Sequence, residues 1–248
     1  ACDLAGPGAF LQGLNLQGCD LSEMDLRGAN LKKATLAKVY LAGGDLEGAS
    51  LEGANLEGAN FLGADLEGAN LYRVNLKMAK ILGANFFKAN LQAADLEGAA
   101  LFGVNLKCAN LSKANLRGTH TRKGNLSKKQ VEGYKGLSFR SLHLGHANLQ
   151  GANLADADLR DVELGSANLQ GADLTGVNLE GADLSRLDLK DVNMTEATLR
   201  GANLREVDLR GSNLTRTDLA GADLTGADLR GVTGFNLGPI GIPAFMPD

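Results

Sequence analysis

Residues 49–71 read ASLEGANLEGANFLGADLEGANL. A bulky apolar residue returns at every fifth position: Leu51, Leu56, Phe61, Leu66 and Leu71. Two residues before each of them stands Ala (Ala49, Ala54, Ala59, Ala64, Ala69), with Ser, Asn or Asp between. A period of five excludes an amphipathic helix. At about 100° per residue, five steps advance about 500°, so successive leucines would turn by about 140° and share no face. The triplet Ala-Asn-Leu instead alternates in, out, in, as a short extended segment does. The two remaining residues, often ending in Gly (Gly53, Gly58, Gly63, Gly68), suit a turn. Short sides joined by corners make a coil, and stacked coils make a solenoid.

The same period runs outward from this stretch in both directions. Centres fall at every fifth residue from Leu11 to Leu126, with Phe61, Ile81, Phe86 and Thr121 as the non-leucines. A new phase starts at Leu144 and runs to Leu229, with Met194 the one exception. The motif A-[DN]-L-x-x in these two registers resembles the pentapeptide-repeat family, over nearly the whole chain. The resemblance implies an all-β chain: a right-handed quadrilateral β-helix with four repeats per coil, about ten coils in two blocks. With stacked strands about 4.8 Å apart, the rod is expected to be about 50 Å long. The expected divisions are 1–126 (with an irregular cap over 1–8), an interrupting loop or short helix at 127–143, a second block at 144–233, and a tail at 234–248 that caps the last coil. The inward position two before each centre must be small; Leu14, Met24, Leu142 and Leu187 are larger, and three of them lie near a block's end, where a looser interior is expected.

Composition fits an aliphatic core. The chain has 248 residues, 44% hydrophobic and 22% charged, with 33 Gly, 4 Pro and no Trp. No apolar run reaches the length of a membrane-spanning helix. The net charge is −4, and no basic surface suited to nucleic acid is evident. The absence of Met at position 1 predicts a chain trimmed or processed from a longer one. Three cysteines, an odd number, argue against a disulfide framework. Cys2 and Cys19 fall in the small inward slot and read as Ala-sized apolar residues, which favours a reducing, cytoplasmic compartment.

No catalytic, cofactor or metal site is predicted. His120, His143 and His146 flank the break between registers, yet they lack Cys or carboxylate at ligand spacing. Carboxylates stack in rows (Asp25, Asp45, Asp65; Asp188, Asp208, Asp228), as a 20-residue coil dictates, without the burial that tunes a catalytic acid. The second-block row is interleaved with Lys190, Arg210 and Arg230 and reads as a salt-bridged face.

Two features point to binding. Leu62, Leu82 and Phe102 follow their centres on one outer side with Tyr40, while Tyr72 and Phe87 lie on neighbouring sides. An apolar column of this kind needs a cover, supplied either by the interrupting segment or by a partner protein. That segment carries Lys128, Lys129, Val131, Tyr134, Lys135, Phe139 and Arg140, a basic and partly apolar island. The expected function is a non-enzymatic scaffold for protein–protein interaction, monomeric or an end-to-end homodimer. The resemblance adds two alternatives: a duplex-DNA mimic that binds type II topoisomerases and gives fluoroquinolone protection, or the repeat part of a bacterial effector. The modest net charge and the neutralised rows are weak for a mimic.

Overall fold

A computed structural model describes residues 2–121, 142–160 and 162–235. Its regular unit is a parallel β-bridge between each residue preceding a centre and the residue 20 further on: Asn55 pairs with Asn75, Asn75 with Asp95, and Asp95 with Asn115. One helical element is present among the described residues, a 3-10 turn at Cys2–Leu4. The chain is a β-helix solenoid.

One repeat shows why the sequence folds this way. The Leu56 amide donates to the Asn75 carbonyl at 2.7 Å, the Gly58 amide to Lys77 at 2.9 Å, and the Asn75 amide to Ala54 at 3.0 Å. The Ala59 amide closes the corner on the Leu56 carbonyl at 3.0 Å. At the described corners the residue two after a centre is held at positive φ, as Gly58 is at 66° and Lys33 at 55°, except after Leu164, where Gly165 takes it one position early. This is the type II turn pattern, where Gly carries no steric cost and a side chain costs about 1–2 kcal/mol.

The Asn/Asp preference has its own cause. The Asn55 Oδ1 accepts the Glu57 amide at 3.2 Å and the Asn75 side-chain amide from the next coil at 3.0 Å. Asp can accept both bonds but has no side-chain N–H to pass on to the coil before it. The centres fill the axis: Leu56, Phe61, Leu66 and Leu71 are all fully buried, with the Ala column beside them. Phe61 and Phe86 meet edge to face at 6.3 Å between ring centres. Polar residues in the inward slot are satisfied at once. The Ser212 hydroxyl donates to the Leu189 carbonyl at 2.5 Å, and that of Thr119 to Leu116 at 2.9 Å.

The two registers form one ladder. Asn105 pairs with His143, Asn110 with Asn148, Asn115 with Asn153 and His120 with Asp158, each 38 residues apart. The side that Gly124-Asn125-Leu126 would have supplied is therefore made by Leu142-His143-Leu144, with Leu142 and Leu144 fully buried. Leu142 brings an aliphatic side chain to the axis where Gly124 would bring none, a difference of about 1.5–3 kcal/mol of burial. The second block thus continues the first ladder directly.

The cysteine expectation is overturned. Cys2 and Cys19 form a disulfide, with Cα atoms 5.8 Å apart across 17 residues, and Cys108 is the free and exposed one. The bridge arises because the 3-10 turn at Cys2–Leu4 folds under the first coil and brings Cys2 against the inward slot of Cys19. The premise for a reducing compartment falls with it. No helix among the described residues is long and apolar enough to cross a membrane.

Candidate functional site

The outer side marked by Tyr40 is built from two parallel columns. Asp20, Tyr40, Asn60, Lys80, Ala100 and His120 bridge in succession along one. Beside it, Ala42, Leu62 and Leu82 form an apolar cluster separate from the axis, with Ala100 and the half-buried Phe102 packed against it. Leu62 and Leu82 keep only 8% and 4% of their exposure, so neither offers an open docking surface, whereas Tyr40 is 53% exposed. The Leu62 amide is fixed by the Asn60 Oδ1 at 3.1 Å, which sets the direction of the column.

Tyr72 and Phe87 lie on neighbouring sides and are half-buried. Each ring is capped by the cation of the next residue: the Arg73 guanidinium lies 5.0 Å from the Tyr72 ring centre and the Lys88 ammonium 4.8 Å from that of Phe87. Both cations sit at positive-φ corners, where the turn bends the chain back over the ring. The six candidate residues thus do not form one open patch: Tyr40 is exposed, three are half-buried and two are closed off. The candidate loop residues Lys128, Lys129, Val131, Tyr134, Lys135, Phe139 and Arg140 lie outside the described residues.

His143 reaches Glu163 Oε2 through Nδ1 at 2.7 Å. His120 takes its place in the bridge column between Ala100 and Asp158. Sequence reasoning missed Phe10 and Met78, which are 88% and 64% exposed. Their signal was available, since both stand at positions that the period assigns to the outer surface.

The charged rows are interlocked along the coil axis. Lys190 Nζ lies 3.1 Å from both Asp188 and Asp208, Arg210 bonds Asp208 at 2.8 Å, and Arg230 bonds Asp228 at 2.5 Å. Hydrogen bonding from Arg210, ahead of Lys190, holds the Asp208 carboxyl well below its ordinary range. In the first block Arg27 does the same for Asp25, lowering it from 3.8 to about 2. Depressed carboxylates stabilise the fold above their unfolded pKa, and that contribution is lost as pH falls through the folded value. The urea midpoint is therefore expected to hold from pH 7 to about 4 and to drop between about 4 and 2. A midpoint that is flat over that window would mean the rows contribute nothing.

The arrangement pairs its carboxylates with cations and with turn amides, and the ladder consumes the Asn side chains. What it can do chemically is present fixed outward groups at fixed spacing. A family model and one solved structure agree with that architecture. One solved structure, HetL from the cyanobacterium Nostoc sp. strain PCC 7120, a protein involved in heterocyst differentiation regulation, is 33% identical. The match covers 90% of this chain and 87% of that one, with a TM-score of 0.52. QnrB1, a plasmid-mediated fluoroquinolone resistance protein, is 20% identical over 88% of each chain, with a TM-score of 0.43. No match was found among curated proteins. The family model for pentapeptide repeats matches in 8 copies, which lie between residues 9 and 231. The chain belongs to the pentapeptide-repeat family.

Proposed function

We propose that this chain is a non-enzymatic scaffold: a right-handed quadrilateral β-helix of about ten coils that binds a partner protein through its outward side-chain columns. The observation that carries this reading is the ladder, which keeps its pairing across the interruption between His120 and His143. A rod stacked in this way holds outward groups at fixed separations, so a partner meets a surface whose ordering entropy is already spent. The role of HetL in differentiation control, at 33% identity over 90% of this chain, supports a regulatory binding role here as well. The ion pairing within the charged rows gives no continuous acidic stripe, so the DNA-mimic alternative is not taken up. The Cys2–Cys19 bridge fits an oxidising compartment better than the cytoplasm.

The Tyr40 and Lys80 column is the proposed contact. Crosslinking in the native host followed by affinity capture is expected to return a stoichiometric partner. Tyr40→Ala with Lys80→Glu is expected to lower that capture about tenfold without changing the circular dichroism spectrum. Unchanged capture by the double variant would remove this face from the proposal. Elution of the free chain as a monomer or an end-to-end dimer, read by light scattering, is expected; any other assembly counts against the rod presented here.

A further inference from the structure

A regular corner of this rod spends both of its amides. The first bonds the Asn or Asp two residues before it, and the second bonds a carbonyl of the next coil. At 107–108 the Lys107 amide donates to Asn105 Oδ1 at 3.1 Å and the Cys108 amide to the Gly145 carbonyl at 3.0 Å. Directly above, the amides of Gly145 and His146 have no acceptor among the described residues, and one coil further the same holds for Gly165 and Ser166.

The sequence gives two causes. Asn105, His143, Glu163 and Asp183 bridge in succession along this side, so the two coils concerned carry His and Glu where the turn expects Asn or Asp. The short side-chain oxygen that reaches an amide two residues on is therefore lacking, and His143 Nδ1 meets Glu163 Oε2 at 2.7 Å instead. The second cause is the order Gly165-Ser166. Gly165 takes the positive φ, 45°, and Ser166 does not. In a turn with positive φ at its first central residue, the central peptide is reversed relative to the type II corners. The Ser166 amide thus replaces the Gly165 carbonyl on the side that faces the coil below, where the His146 amide seeks an acceptor. Donor confronts donor.

The same corners are bare of side chains. Gly145 and Gly165 stack closely, a Cβ on Gly165 falling 3.3 Å from the Gly145 Cα, and the Lys107 stem lies over Gly145, its Cγ 4.0 Å from where a Cβ would stand. Lys107, Gly145, His146 and Gly165 line a cavity of about 530 Å³, within the range of small-ligand pockets. Lys107 has no ion pair among the described residues. The lining's one carboxylate, Glu163, is the one that His143 holds.

We propose that these two corners form a binding site for a phosphate group, free or at the end of a small monoester. Successive turn amides make a concavity suited to an oxyanion, and its oxygens supply the acceptors that the four amides lack. The Lys107 ammonium adds the point charge that commonly accompanies phosphate. The site goes beyond the scaffold reading and does not depend on it.

The test titrates nitrogen-15-labelled protein with inorganic phosphate and, separately, with glycerol 2-phosphate, at constant ionic strength. Saturable shifts are expected at the amide signals of Gly145, His146, Gly165 and Ser166, with a midpoint of about a millimolar or tighter. The ligand that binds more tightly names the source of the phosphate. Lys107→Gln is expected to weaken binding at least about tenfold, and Lys113→Gln, at the next corner of the same coil, to leave it unchanged. The deciding variant is His143→Asn with Glu163→Asn. It installs the residue of the repeat at both positions, offers each corner its missing acceptor, and removes the carboxylate. Charge alone would make this variant bind phosphate more tightly; consumption of the amides is expected to make it bind at least about tenfold more weakly. Should it fail to fold, the four amide shifts and the contrast between Lys107 and Lys113 decide the matter. No saturable shift at those amides with either ligand, equal losses for the two lysine variants, or undiminished binding by the Asn variant would overturn the proposal. Partner capture through Tyr40 and Lys80 tests the scaffold reading separately.

Discussion

Replacing Phe61 by alanine is expected to cost about 3–5 kcal/mol, the usual range for removing a buried ring. Phe61 has no exposed surface and sits in a column with Leu41 one coil before it and Ile81 one coil after. Its edge-to-face contact with Phe86 at 6.3 Å adds about 0.5–1.5 kcal/mol beyond burial. The backbone around it cannot collapse inward to heal the cavity, because each coil is pinned on both sides by ladder bonds: the Phe61 amide to Lys80 at 2.8 Å and the Asn60 amide to Val39 at 2.9 Å. A solenoid repeat touches only its neighbours, so the loss should be local. Hydrogen exchange is expected to accelerate first in the coils that contain residues 41–81, with the distal coils following only as the break spreads. Phe61→Leu, which restores the residue used at most centres, is expected to cost less than about 1.5 kcal/mol. A cost below about 1 kcal/mol for the alanine variant in urea unfolding would show that the axis is not the tightly packed column described here.

The period of five made the architecture legible because every fifth residue does one job. Leu centres went to the axis, Ala beside them, and Asn or Asp to the bridges, all by local alternation. What stayed hidden depended on events outside that alternation. Leu126 fits the period, yet the chain continues the ladder from Leu144. The choice turns on what each segment brings to the axis, Gly124 or Leu142, and a period does not register it. Leu62 and Leu82 were legible as outer-face residues, but their burial depends on what packs beside them. The missing bridge between Asn168 and Asp188 was half visible. Leu187 stands out as too large for its slot, but Leu142 is equally large and leaves its ladder intact, with the Glu163 amide bonded to its carbonyl at 3.0 Å. The second signal, glycine preceding serine in the 164–167 turn, is a matter of order within two residues that the repeat consensus leaves free.

The Cys2–Cys19 bridge leads to the second large effect. Stacking relates residue n to residue n + 20, so a pair 17 apart has no place in the repeat and becomes visible only once the 3-10 turn at Cys2–Leu4 folds beneath the first coil. Closing a loop of this size removes about 3 kcal/mol of chain entropy from the unfolded state, and Cys2→Ser or full reduction is expected to forfeit that amount. The loss falls on the end of the rod, where Leu11 and Leu16 are buried but Leu14 and Met24 are only partly so. There the first coil has a neighbour on one side alone, so nothing else compensates for a released cap. Reduced protein is therefore expected to show faster hydrogen exchange at Leu16, Leu21 and Leu26, while residues beyond about the third coil keep their protection. It is also expected to show earlier proteolysis near the amino terminus. If oxidised and reduced chains exchange alike at these amides, the bridge is not what closes this end. The exposed Leu4 and Phe10 would then be the groups to examine as its cover.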